Sequence, residues 1–406
     1  MSDWKRCTLA NLGEIVGGAT PSTKNESFYG GDIAWITPKD LSTFHGRFIS
    51  RGERNITADG LKNSSARLLP PHSILFTSRA PIGYVAIAEN EVCTNQGFKS
   101  IAPNDHTDYL FLYYLLVHNR DRIENMGSGT TFKEVSGSVM KQIEVFVPSD
   151  KAEQRAIAET LGALDDKIEN NSKINHHLEQ MLRSLFKSWF IDFDPFGGDQ
   201  PSDWQEQPLE KFISFQEGPG IRNWQYVPQD GAKFINIRCI QDGDLRLDTA
   251  NMISSEEANG KYRHFMLNEW DVIVSTSGTL GRYAVVRKEH LPLCLNTSVI
   301  RFVPKKSFSH FSYMLGYLSS SEFYDHLQTK ASGSVQANFG PMHLRQITML
   351  IPSDIVLGKY HNLVFPLFQK VIENRRESEQ LARLRDSLLP RLMSGELSIA
   401  NLDDAK

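Results

Sequence analysis

The chain has 406 residues, 40% of them hydrophobic and 23% charged, which is room for two or three domains with proper cores and the balance of an ordinary soluble protein. A formal net charge of −4 gives a nucleic-acid reading no help, so a DNA binder of this composition must gather its Lys and Arg locally or work inside a complex that supplies charge. Cys7, Cys93, Cys239 and Cys294 are scattered with no CxxC pair, which argues against zinc and a disulfide framework and fits a reducing cytoplasm. The opening residues have no apolar signal region, and the longest apolar run, residues 109–117, is too short to span a bilayer.

In chain order, a first domain is expected over residues 1–148. It opens with Trp4, Leu9, Leu12 and Ile15 and then a turn-rich stretch at 17–21. Strand-like pieces follow at 33–37, 73–77, 84–88, 98–102 and 143–147, with one helical stretch at 108–118 and a Gly/Ser/Thr loop at 127–131. Next, residues 149–198 read as a long helix and linker, with Ser149 or Asp150 as N-cap and Pro195, Gly197 and Gly198 as the stop. Ile157, Leu161, Leu164, Ile168, Asn171, Asn175, Leu178, Leu182, Leu185 and Trp189 alternate steps of four and three, the seam of a coiled-coil helix with a polar centre.

Residues 199–352 repeat the first domain at an offset of about 200. Trp204 answers to Trp4, Phe234 and Ile235 to Trp35 and Ile36, Asn296 to Asn95, and Pro352 to Pro148. Residues 353–406 then repeat the seam as Tyr360, Val364, Leu367, Val371, Asn374, Ser378, Leu381, Arg385, Leu388 and Leu392, with Arg385 alone breaking its apolar end. The fold class is therefore mixed α/β: two globular domains in tandem repeat, separated by two long antiparallel coiled-coil helices, each roughly 60 Å long at 1.5 Å per residue. A short linker that feeds the second domain before the second helix favours the antiparallel arrangement, with one domain at each end. The polar centres read as a buried layer that fixes the pairing, or else as a kink.

No catalytic constellation is readable. There is no phosphate loop, no dinucleotide fingerprint, no HExxH and no nucleophile elbow. His176 and His177 diverge on the long helix, and Asp165 and Asp166 read as a solvent-facing pair. Hydroxyl-rich loops at matching repeat positions are the more informative feature. Thr77, Ser78 and Arg79 match Ser275, Thr276 and Ser277, each run leading to a glycine, while residues 127–133 match 332–338 and Lys39 matches Arg238. Such side chains suit phosphate and base-edge contacts. The candidate DNA-contacting residues are Lys39, Ser78, Arg79, Thr130, Thr131 and Lys133 in the first domain. In the second they are Arg238, Thr276, Ser277, Ser334, Gln336 and Asn338. The alternative is that these are ordinary surface turns.

Residues 185–195, LFKSWFIDFDP, the opening Trp4…Leu9…Leu12-Gly13-Glu14-Ile15, the run from Glu153 to Ile168, and residues 388–397, LLPRLMSGEL, together resemble one family: the specificity subunits of type I restriction–modification enzymes. The resemblance covers essentially the whole chain. It implies two target recognition domains, each reading one half of a split, asymmetric site on double-stranded DNA, and two conserved helices that set the spacing. It also implies two docked methyltransferase subunits joined by restriction-translocase subunits. The family subunit has no catalysis of its own; S-adenosylmethionine, ATP and magnesium belong to the partners, so neither cofactor nor metal is expected on this chain. Two half-sites about one helical turn apart, roughly 34 Å, suit such a spacer. The competing readings are a two-domain protein-binding adaptor, which would give no DNA footprint, and a nuclease or methyltransferase in its own right. The latter is disfavoured by the absence of an Asn/Asp-Pro-Pro-aromatic motif.

Overall fold

The computed structural model describes residues 3–128, 133–276, 280–330 and 339–399. The protein is mixed α/β and divides into two compact units, residues 1–171 with 376–406, and residues 172–375. Two helices of 40 residues, Lys151–Phe190 and Asp354–Met393, each run from one unit into the other. Among the described residues no helix is long and apolar enough to cross a membrane.

In the first unit, Trp4–Thr8 pairs antiparallel with Glu144–Pro148, which brings the two ends of the globular part together. Its main sheet has the order Gly13–Gly17, Lys99–Pro103, Ile74–Ser78, Ile82–Ala88, Phe48–Ile49. The helix Tyr109–His118 lays Phe111, Leu112 and Leu115 on Ile74, Phe76 and Ile101 of that sheet, all fully buried or nearly so. A short parallel pair, Trp35–Ile36 with Cys93–Thr94, builds a second small core.

The second unit repeats this plan. Gln205–Pro208 pairs with Thr348–Ile351. The main sheet runs Ile213–Glu217, Val299–Pro304, Val272–Ser275, Tyr283–Val285, and the parallel pair becomes Gly231–Ile235 with Leu293–Leu295. The helix Phe311–Leu318 takes the place of Tyr109–His118.

Asp150 caps the first long helix, its Oδ1 accepting from Ala152 N at 2.9 Å. The helix stops at Phe190, because Phe193, Gly197 and Gly198 take left-handed backbone angles that a helix cannot continue through. Within the first unit the two long helices run antiparallel: Asp165 meets Arg385 at 2.6 Å, and Asn171, further along, donates to Ser378 Oγ at 3.3 Å and Glu377 Oε2 at 2.8 Å. Within the second unit the same sense holds, with Asn374 Nδ2 donating to Asn175 Oδ1 at 2.9 Å and the Trp189 and Tyr360 rings 5.5 Å apart. Asn171, Asn175 and Asn374 are buried, so the polar centre of each seam is a hydrogen-bonded layer inside the helix pair.

The structure corrects two expectations here. Asp165 and Asp166 are not a solvent-facing pair. Asp165 is buried, receives Tyr114 Oη at 2.5 Å as well as Arg385, and thereby explains why the second seam carries an arginine. Asp166 is exposed and, with Glu169, holds the buried Arg47 guanidinium. The seam is also broader than heptad spacing suggests. At the end of the first helix Phe186 and Phe190 are more deeply buried than Leu185 and Trp189, because both pack on Tyr313 of the second domain and Phe190 packs on Tyr360 of the other helix as well.

The second unit carries a pH dependence. His310 is buried, stacked on Phe212 at 4.9 Å, with its Nε2 3.1 Å from Asp354 Oδ1, and His361 sits against Phe365 with Nδ1 2.9 Å from Ser312 Oγ. Burial lowers the pKa of both, outweighing the opposing pull of Asp354 on His310. With folded values below the unfolded one, the unfolded chain takes up protons first as pH falls through the ordinary histidine range, so stability is full above that range and declines below it. The melting temperature of the purified protein should drop between pH 7 and pH 5, and His310→Gln should flatten the dependence; an unchanged slope in that variant excludes His310 as its source.

Candidate nucleic-acid interface

Each globular part carries the same junction of loops at the end of one central strand. In the first, Ser78 ends the strand Ile74–Ser78 and both its N and its Oγ donate to Gly97 O, at 2.7 and 3.2 Å. Ser78 O in turn accepts from Val135 N at 2.9 Å. Backbone groups at a buried strand end must find partners, and here two distant loops supply them. The loop before Val135 is closed by reciprocal bonds between Ser128 and Glu134 at 3.1 and 3.0 Å. Gly97 lies against Pro38 at the start of the short helix Pro38–Ser42; a Cβ added at Gly97 would sit 2.9 Å from Pro38 Cγ. The turn carrying Lys39, the turn at 95–97, Arg79, Ser128 and residues 133–135 therefore converge.

The second domain rebuilds the two backbone bonds at the centre of this frame. Thr276 N donates to Ser298 O at 3.1 Å, and Phe339 N donates to Thr276 O at 3.2 Å. Ile237 N donates to Ser298 Oγ at 3.3 Å, which docks the turn Ile237–Cys239 that carries Arg238. In both copies an Asn side chain folds the middle turn: Asn95 Oδ1 accepts from Gly97 N at 2.8 Å and Asn296 Oδ1 from Ser298 N at 2.9 Å. In both, the first hydroxyl of the Thr/Ser run caps the following turn, Thr77 Oγ1 accepting from Tyr84 N and Ser275 Oγ from Arg282 N. The glycines that end those runs, Gly83 and Gly281, have φ of 96° and 75°, a backbone region that strains any residue with a Cβ.

The candidate side chains separate into three groups. Lys39, Lys133 and Arg238 are exposed, and Arg79 is half-buried. Lys39 Nζ is 2.6 Å from Glu53, and the hydrogen bond and charge of Glu53 raise its pKa. Arg79 Nη1 lies 3.8 Å from Glu134, which also faces Lys99 at 3.4 Å, so local acids hold much of the positive charge. Ser78 and Thr276 are buried, with their backbone groups committed to the frame. Ser78 is the last residue of its strand and Thr276 directly follows Val272–Ser275, so both stand in the frame as buried supports and not at its exposed tips. Thr130, Thr131, Ser277, Ser334, Gln336 and Asn338 lie outside the described residues.

Two exposed side chains at the tips of the middle turns, Gln96 and Thr297, sit within the same junctions without having been singled out from the sequence. The signal was present one residue earlier, in the repeat-matched Asn95 and Asn296, whose hydrogen bonds shape the turns that present them.

Two repeated domains on paired helices, each with one loop junction built on a shared frame, define the class: a tandem-repeat protein with one candidate binding junction per domain. Comparison with known proteins places it more narrowly. Residues 1–180 match the model of the type I restriction modification DNA specificity domain. The type I restriction enzyme MjaIX specificity subunit of Methanocaldococcus jannaschii is 35% identical to this chain, covering 98% of this chain and 95% of that protein. The type I restriction enzyme HindI specificity subunit of Haemophilus influenzae is 24% identical, covering 98% and 100%. The crystal structure of the type I restriction–modification system S subunit from M. genitalium shares the fold with a TM-score of 0.61 at 17% identity, covering 97% of this chain and 96% of that one. The chain belongs to the family of type I restriction enzyme specificity subunits.

Proposed function

We propose that this chain is the DNA-reading subunit of a type I restriction–modification complex, each domain reading one half of a split, asymmetric site. The observation that carries the reading is the doubled junction: one hydrogen-bond frame, through Ser78, Gly97 and Val135 and again through Thr276, Ser298 and Phe339, with different tips. A common frame with unlike tips is what two ligands of one kind require. Lys39, Arg79 and Lys133, and in the second domain Arg238, are the cationic groups at these tips; phosphate contacts by such groups position the domain, while polar tips such as Gln96 and Thr297 face base edges. Two methyltransferase subunits dock on the chain, restriction-translocase subunits join them, and S-adenosylmethionine, ATP and magnesium act on those partners in the cytoplasm. The chain itself supplies recognition and no catalysis.

Exchange of residues 1–148 for the same domain of a relative tests this. In a host that supplies the methyltransferase subunits, methylome sequencing should show one half of the methylated motif changed, with the other half and the spacing intact. A matched insertion of one helical turn in both long helices should change the spacing alone. Both halves rewritten together by the domain exchange would overturn the reading.

A further inference from the structure

Trp224 stands apart from the junctions just described. At 81% it is the most exposed large hydrophobic side chain among the described residues. It sits at the middle of the one-turn 3-10 helix Asn223–Gln225, directly before the strand Tyr226–Val227. The turn is anchored from below. Gln225 Nε2 donates to Glu257 Oε1 at 2.9 Å and to Tyr262 Oη at 3.1 Å, and its Oε1 accepts from Arg222 N at 3.0 Å. The backbone is thus fixed while the indole points away from the protein, against the free-energy gain that burying so large an apolar surface would bring. An exposed tryptophan on a pinned turn is preorganised to meet something outside the chain.

The surroundings favour nucleic acid over protein. Protein hot-spot aromatics sit in desolvated apolar patches. Trp224 is instead flanked by Arg222 and Asn223, with Gln225 leading to Tyr262, over whose ring Lys261 Nζ lies at 5.0 Å. An exposed aromatic with a guanidinium two residues before it in the same turn is a combination that stacks on bases and tracks phosphates. The repeat sharpens the argument. The corresponding turn of the first domain, Glu26–Phe28 before Tyr29, carries the exposed Ser27 at the same middle position. Two domains that read different half-sites must differ at presented positions, and here a serine stands against a tryptophan.

We propose that Trp224 is a specificity-determining DNA contact of the second domain, its indole packing on a base or base step of the second half-site and Arg222 engaging the adjoining phosphate. The inference rests on the DNA-reading function proposed above. It is tested on the full chain assembled with its methyltransferase subunits, using Trp224→Ala, Trp224→Phe and Arg222→Ala and a duplex carrying the motif that the parent methylates. Loss of one stacked base contact predicts that Trp224→Ala weakens binding about ten-fold or more, with Trp224→Phe retaining most of the affinity. The salt dependence should be unchanged in Trp224→Ala and shallower in Arg222→Ala. Base substitutions in the second half-site should be penalised less by the Trp224→Ala complex, and those in the first half-site as before. Parental affinity and discrimination in Trp224→Ala overturn the proposal while leaving the DNA-reading function standing. Loss of methyltransferase subunits from that variant at unchanged DNA affinity overturns it in favour of a protein contact. Absence of sequence-dependent binding by the parent complex overturns both.

Discussion

Leu161→Asp is expected to abolish the stability of the first unit or bring it close to that point. Leu161 has no exposed surface and lies where the first long helix meets both the second helix and the helix Tyr109–His118, in one cluster with Ile157, Ala158, Leu389 and Leu392. The substitution removes a buried leucine and leaves a carboxyl group without a partner. The first effect alone costs about 2–5 kcal/mol, and an unpaired polar group adds about 1–3 kcal/mol even after the carboxyl neutralises itself by taking up a proton. The sum rivals the total stability of a domain, on the order of 5–15 kcal/mol. Met181→Asp, on the same helix but half exposed, should shift stability by no more than about 0.5 kcal/mol. Thermal melting and co-purification with the methyltransferase subunits read both; a Leu161→Asp protein that melts and assembles like the parent would show that this face of the helix is not a core.

The second large effect concerns Asp165. Its carboxylate takes Arg385 Nη1 at 2.6 Å and Tyr114 Oη at 2.5 Å, so three elements of the first unit meet on one buried group. Burial opposes the Arg385 charge, but the hydrogen bonds and charges of Asp165 and then Asp386 more than offset it and hold the guanidinium pKa above its usual value. Burial, then Asp165, push the Tyr114 hydroxyl well up, keeping it protonated and able to donate. Arg385→Met strands the carboxylate and should cost about 3–5 kcal/mol. Asp165→Leu strands Arg385 and Tyr114, and should cost somewhat less because the guanidinium is partly exposed and also holds Asp386 at 2.7 Å. The double variant Asp165→Leu/Arg385→Met should recover much of either loss, since replacing both partners removes the desolvation cost along with the attraction. Chemical denaturation of the four proteins gives the coupling energy, and strictly additive losses would mean that the pair does not act as a unit.

Much of the architecture was legible in the sequence because it is written in local order. Heptad spacing fixes a helix face without knowledge of its partner, which is why both long helices, their seams and their polar centres could be read from positions such as Asn171 and Asn374. The tandem repeat was legible for the same reason: a shared frame needs the same Gly, Asn and Pro at the same turns, as at Gly83 and Gly281 or Asn95 and Asn296. The family resemblance rests on equally local strings.

Other features belong to the tertiary structure alone. That Ser78 and Thr276 are buried supports depends on Gly97, Val135, Ser298 and Phe339, residues tens of positions away whose backbone groups complete the strand end. That Asp165 is buried depends on Tyr114 and on Arg385, about 220 residues further on; adjacent aspartates on a helix look alike in sequence, and only the packing tells Asp165 from Asp166. Phe186 and Phe190 outrank the seam because the helix also packs on the second domain, through Tyr313, and periodicity names only the face that repeats. That Trp224 is presented outward depends on Gln225, whose bonds to Glu257 and Tyr262, more than thirty residues further on, hold its turn in place. Sequence order determined which elements exist and that they come twice, because those depend on neighbours a few residues apart; burial and presentation were decided by hydrogen bonds and packing between residues the chain keeps far apart.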